Sequence, residues 1–227
     1  MPTIDWLKNE FAYGYDSGDV LALKADEIRS KEEKAIGGSY LTVARKGLAE
    51  YLKPDSKVME LGPGRGSWSR AILKQIPHGE LHTFDFQDLS EWLRPELYDG
   101  RLVCHKVSNN SFSEAPDDFF DFFWSFGVLC HNNQEHLFEI LKNSLHKMKK
   151  GGIAVHQYSD WEKLEAYGWH RGTIPVDFKY KPDEEIWWPR NNQSIMTSIA
   201  TAAGWKVVKP DLGLVQRDSI ILMIRHR

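Results

Sequence analysis

Apolar and polar positions change rhythm along this chain. From residue 56 to residue 158, short apolar runs alternate with segments whose apolar residues recur every three or four positions. The runs at 57–61, 81–86, 101–107, 119–126 and 153–158 predict strands. Residues 67–75 predict a helix, 89–97 a weaker one, and 135–148 an amphipathic one with Leu137, Ile140, Leu141, Leu145 and Met148 on one face. Lys150-Gly151-Gly152 reads as a turn. Upstream, the pattern predicts short helices at 5–13 and 21–34, a turn at 13–18, and a helix at 40–52 capped by Ser39. Residues 159–190 break the rhythm; a helix at 194–203 and strands at 205–208 and 219–224 follow. Strands alternating with helices predict an α/β fold: a doubly wound, mostly parallel seven-stranded sheet with helices on both faces. The last two strands, with no helix between them, predict an antiparallel edge hairpin. Residues 1–38 read as an N-terminal helical cap, and 39–227 as one domain carrying an insertion at 159–190.

Composition narrows the classes. The 227 residues are 41% hydrophobic and 27% charged, the balance of a folded domain rather than a disordered chain. A net charge of −3 gives no general attraction to nucleic acid. Two cysteines, Cys104 and Cys130, are too few for a disulfide scaffold or a four-cysteine metal site. The start of the chain lacks a signal-peptide pattern, and the longest apolar run, 119–130, is far short of the ~20 residues of a membrane helix. The expectation is a cytoplasmic protein with no membrane segment.

The chemistry concentrates in Glu60-Leu-Gly62-Pro63-Gly64-Arg-Gly66-Ser67, where a strand ends in a glycine turn and opens a helix. No Gly-Lys-Ser/Thr follows, so this is not a P-loop. A dinucleotide fingerprint would need a third glycine at 67, where Ser67 stands. An acid two residues before the first glycine suits a ligand bearing an ammonium and opposes a pyrophosphate. The pattern resembles motif I of the class I S-adenosylmethionine-dependent methyltransferases, which are Rossmann-like. Four further landmarks resemble that family in order: Asp85 closing the second strand; Asn109, where the family usually has Asp, twelve residues before Asp121; Phe122 to His131; and Met148-Lys-Lys-Gly-Gly152. The resemblance covers residues 38–158.

It implies S-adenosylmethionine as cofactor and S-adenosylhomocysteine as product. Glu60 would face the methionine ammonium, Gly62, Pro63 and Gly64 would lie along the ligand, and Asp85 would accept the ribose hydroxyls. Phe86 would flank the adenine and Asn109 would meet its amine. Ser125 and Phe126 would line the sulfonium, and Tyr40 the carboxylate end.

Methyl transfer from a sulfonium is an in-line displacement, so a base is needed only where the acceptor starts protonated. Candidate bases near the strand ends are His131, His156 and Asp160; the two histidines also read as packed residues. The insertion offers Arg171, Trp187, Trp188 and Arg190 for an acceptor, with Tyr158 just before it; alternatively its aromatics seal a lid or a homodimer contact. No Cys-x2-Cys spacing is present, and His131 and His136 do not share a helical face, so no metal site is expected. The Asn/Asp-Pro-Pro-aromatic motif of adenine-amino methyltransferases is missing, as is the Pro-Cys of cytosine methylation. The expected function is methylation of a small-molecule acceptor at oxygen, of sugar or natural-product type. The alternatives are a non-catalytic cofactor-binding subunit, or an enzyme methylating nitrogen, RNA or protein.

Overall fold

The computed structural model describes residues 4–10 and 14–226. Seven strands form one sheet: β1 (Lys57–Leu61), β2 (Glu80–Asp85), β3 (Leu102–Lys106), β4 (Phe120–Ser125), β5 (Met148–Tyr158), β6 (Lys206–Lys209) and β7 (Ser219–Ile224). Their spatial order is β3-β2-β1-β4-β5-β7-β6. The first five are parallel to one another, while β7 is antiparallel to both β5 and β6. The order reverses between β1 and β4, and such a switch point opens a crevice at the carboxyl ends of the strands.

Alternation along the central strands explains the layers. Val58, Phe122 and Trp124 enter one core with Ile72 and Leu48, whereas Met59 and Phe123 enter the opposite core with Leu141, Met196 and Trp205. Both faces are therefore covered, as a parallel sheet requires. The covering helices include α4 (Ser67–Gln75), α6 (Gln134–Lys147) and α8 (Gln193–Ala202), preceded in the chain by α1 (Ile4–Glu10), α2 (Glu27–Ile36) and α3 (Tyr40–Val43). Asn133 and Asn192 cap α6 and α8, accepting bonds from His136 N and Ile195 N at 2.7 and 2.9 Å.

Local differences from the sequence pattern have physical causes. The 40–52 helix is α-helical only to Val43 and continues as a π-turn, Ala44–Ala49. Buried Val43 and Leu48 are five apart, the spacing of that wider turn. The 21–34 segment becomes helical only at Glu27, where the Asp26 carboxylate caps Arg29 N at 2.7 Å. The 150–152 turn is absorbed into β5 as a bulged extension, with Gly151 and Gly152 bonded to Arg225 at 2.8 Å. Of the predicted 5–13 helix and 13–18 turn, residues 11–13 lie outside the described residues. The segment 89–97 splits into α5 (Ser90–Leu93) and a 3-10 turn, Pro95–Tyr98.

The insertion is folded. It begins with α7 (Trp161–Tyr167), continues through two 3-10 turns, and builds its own core from Leu164, Trp169, Ile174, Phe178, Ile186 and Trp188, into which Cys130 also packs.

Candidate functional site

A cavity of about 390 Å³ opens at the switch point. Gly62, Gly64, Asp85, Phe86, Gln87 and Asn110, from the loops after β1, β2 and β3, line part of it. The rest is lined from the loop after β4, the insertion and the N-terminal segments, including Tyr15, Glu32, Tyr40, Phe126, His131 and Trp187.

The glycine turn is tightly determined. Gly62 has φ 66, and a Cβ there would fall 2.4 Å from Val128 Cγ2. Gly64 has φ 53, and its Cβ would fall 2.3 Å from the Tyr15 carbonyl oxygen, which accepts from Arg65 N at 2.9 Å. Pro63 is buried and outside the lining. Glu60 also stands behind the loop rather than in the cavity wall: it is 1% exposed, and its carboxylate accepts from the Ser69 hydroxyl at 2.6 Å. Burial pushes its carboxyl up to about 8, partly opposed by the Ser69 bond and by Arg70.

This elevation has a measurable sign. A carboxyl raised on folding contributes stability below its ordinary value of 4.5 that is lost as pH rises through about 8. Glu60→Gln should therefore gain melting temperature relative to the native chain as pH rises through that window, and keep the gain above it. Parallel profiles would mean that Glu60 ionises normally in the folded protein.

Asp85, at the end of β2, lines the cavity and accepts from Gln87 N at 2.9 Å. Burial raises its carboxyl to about 6. Phe86 is beside it in the wall. Asn109 is turned away: it is exposed, and its Oδ1 accepts from Ser111 N at 2.8 Å. Its neighbour Asn110 takes the wall position, oriented by a 3.1 Å bond to Glu139. Ser125 is fully buried and outside the lining, bonded to His156 Nδ1 at 2.8 Å. Phe126 does line the cavity, packed edge-on against Tyr40 with ring centroids 5.3 Å apart.

Of the three candidate bases, only His131 borders the cavity. Its Nδ1 is 2.9 Å from the Trp187 carbonyl, which can only accept, so the neutral ring carries its lone pair on Nε2. Burial lowers its pKa to about 4, so the imidazole is neutral at physiological pH. His156 is fully buried within the sheet, packed against Phe123 and pushed down to about 3 by burial alone. Asp160 caps α7 through Glu162 N and Lys163 N and accepts from the Ser219 hydroxyl at 2.6 Å.

The insertion residues divide similarly. Trp187 and Trp188 reach the cavity. Tyr158 is buried, its hydroxyl donating to the Pro210 carbonyl. Arg171 is exposed over the Tyr167 ring. Arg190 is spent on Asp183 and on the Phe178 and Lys181 carbonyls, holding the insertion's turns together.

Sequence reasoning missed a buried network on this side. The Arg217 guanidinium pairs with fully buried Asp218, donates to the Gly172 carbonyl at 3.0 Å and stacks on Trp188. Gln157 donates to Asp218 at 2.6 Å and accepts from Gly127 N at 2.9 Å. The network ties β5 and β7 to the insertion and to the loop carrying Phe126 and His131; Arg217 and Gln157 both line the cavity. No cluster of three or more His, Cys, Asp or Glu suited to a metal ion occurs among the described residues. No described helix is long and apolar enough to cross a membrane.

The chemistry of the wall fits S-adenosylmethionine: a carboxylate at the second strand end, an adjacent aromatic ring, and a glycine turn with exposed backbone. Comparison with known proteins agrees. Residues 38–209 match the model of a methyltransferase domain family. No curated protein sequence matches the chain. Among solved structures, it resembles an S-adenosylmethionine-dependent methyltransferase from Aquifex aeolicus, with 19% identity, TM-score 0.60 and coverage of 88% of this chain and 99% of that one. A second, from Methanosarcina mazei, shows 14% identity and TM-score 0.57 over 79% of this chain and 97% of that one. The mitomycin 7-O-methyltransferase MmcR shows 16% identity and TM-score 0.58, but the 82% of this chain that aligns spans only 54% of that longer protein. Fold, glycine turn and family match lead to one conclusion: the chain belongs to the methyltransferase domain family, as a class I member whose cofactor is S-adenosylmethionine.

Proposed function

We propose that this protein transfers the methyl group of S-adenosylmethionine to a hydroxyl oxygen of a small-molecule acceptor. The observation that carries this reading is the cavity at the switch point. Its wall combines the glycine turn and Asp85 with aromatic rings, the insertion's Ile174, Trp187 and Trp188, and the neutral His131. Such a chamber admits a small ligand more readily than a macromolecular chain. A solved structure of similar fold is named as an O-methyltransferase, which is consistent with oxygen as acceptor. The two free thiols, Cys104 and Cys130, support the reading of a reducing, cytoplasmic compartment.

In this reading Asp85 accepts the ribose hydroxyls, Phe86 flanks the adenine and Asn110, rather than Asn109, meets its edge. The Gly62–Gly64 backbone and Tyr40 hold the methionine end, with Glu60 and Ser69 fixing the loop from behind. The cofactor supplies an activated methyl on a cationic sulfur. His131, held by the Trp187 carbonyl, takes the acceptor's hydroxyl proton on Nε2. The aromatic rings of the wall displace water from around the transfer.

The test is release of S-adenosylhomocysteine over a panel of hydroxylated and amino acceptors. Turnover restricted to amines would remove the oxygen assignment. With a hydroxyl acceptor, His131→Ala should cut kcat about 10²- to 10⁴-fold, the usual contribution of a general base, while cofactor affinity stays nearly unchanged. Full activity would return His131 to a packing role.

A further inference from the structure

We propose that the acceptor carries a cationic ammonium group, seated against the Glu32 carboxylate among the aromatic rings of the cavity. This rests on the small-molecule reading above and names the acceptor's charge. Glu32 projects from α2 into the cavity wall and is half-buried. Its helix neighbour Glu33 is spent on Arg29 at 2.7 Å, but among the described residues Glu32 has no ion-pair partner. Burial raises the Tyr15 and Tyr40 phenols, and the nearby Glu32 carboxylate adds to the rise in both. Both phenols therefore stay neutral beside it.

Of the other charged side chains described in the cavity wall, Glu10 and Asp85 are acidic and Arg217 is basic. Arg217 is already neutralised by Asp218, with its remaining reach taken by the Gly172 carbonyl and the Trp188 face. The Glu32 carboxylate, close to Tyr15 and Tyr40 in a cavity that Phe126 and Trp187 also line, attracts an alkylammonium through both charge and ring quadrupoles. An anionic acceptor would meet the same carboxylate as repulsion. The ammonium here is a recognition group; the attacked atom is the hydroxyl oxygen assigned above.

The test uses the native chain saturated with S-adenosylhomocysteine and titrated calorimetrically with benzyltrimethylammonium chloride, with sodium phenylacetate as the anionic counterpart. The cation should bind saturably and the anion more weakly. Glu32→Gln should weaken the cation about tenfold and leave S-adenosylhomocysteine affinity unchanged. Equal or stronger binding of phenylacetate by the native chain overturns the proposal without any variant. So does an unaltered cation affinity in Glu32→Gln. A parallel loss of S-adenosylhomocysteine affinity would assign Glu32 to the cofactor's own ammonium and also overturn it. Failure of the native chain to bind S-adenosylhomocysteine would instead bring down the methyltransferase reading, and this proposal with it.

Discussion

Asp218→Ala should destabilise the protein by about 3–5 kcal/mol, the penalty of leaving one member of a buried ion pair without its partner. For a chain of this size that corresponds to a fall in melting temperature on the order of 10 °C. Asp218 is fully buried, and the Arg217 side chain is 13% exposed. Removing the carboxylate strands the guanidinium in the protein and also releases Gln157, whose other end holds Gly127 N. The damage should extend to the loop bearing Phe126 and His131. The double variant Arg217→Met with Asp218→Leu should lose less than the single one, because no buried charge is left over. A single variant that melts within a degree or two of the native chain would show that water reaches the pair.

Asp85→Ala should weaken S-adenosylmethionine binding by roughly 1.5–3 kcal/mol, the worth of hydrogen bonds to a charged acceptor, or about 10- to 150-fold. The geometry supports this size of effect because Asp85 lies in the cavity wall at the end of β2 and is already oriented by Gln87 N. Its elevated pKa adds a pH signature. Two ribose hydroxyls donate best to the ionised form, so affinity should fall as pH drops through about 6. In Asp85→Asn that inflection should vanish. An alanine variant with native affinity would remove Asp85 from the ribose site.

Much of this was legible in the sequence, for identifiable reasons. Central strands buried on both faces read as apolar runs, and Val58, Phe122 and Phe123 are of that kind. The glycine turn was legible because positive φ and close backbone approach leave few alternatives at Gly62 and Gly64. Side-chain direction at strand ends was not. Asn109 and Asn110 differ by one position, and one of them enters the wall while the other faces solvent. His156 sits opposite Ser125 in the β4–β5 register, which buries both together. A signal for Asp160 was present: an acid directly before a helix is a cap pattern, and capping is what it does. The Arg217–Asp218–Gln157 network had no local signature, because Gln157 and Asp218 meet across 61 residues of chain. Glu32 was hidden in a charged helix whose other acids face solvent or pair along it.

Methyl transfer to a small molecule is tested most directly by following the methyl group itself. The purified protein, given S-adenosylmethionine labelled in its methyl group and a cell extract, would be followed by separating label into low-mass metabolites, protein and RNA. Label is expected in the low-mass fraction, dependent on the native chain and lost in Asp85→Ala. Label confined to protein or RNA, or no transfer while the cofactor binds, would rule out methylation of a small molecule.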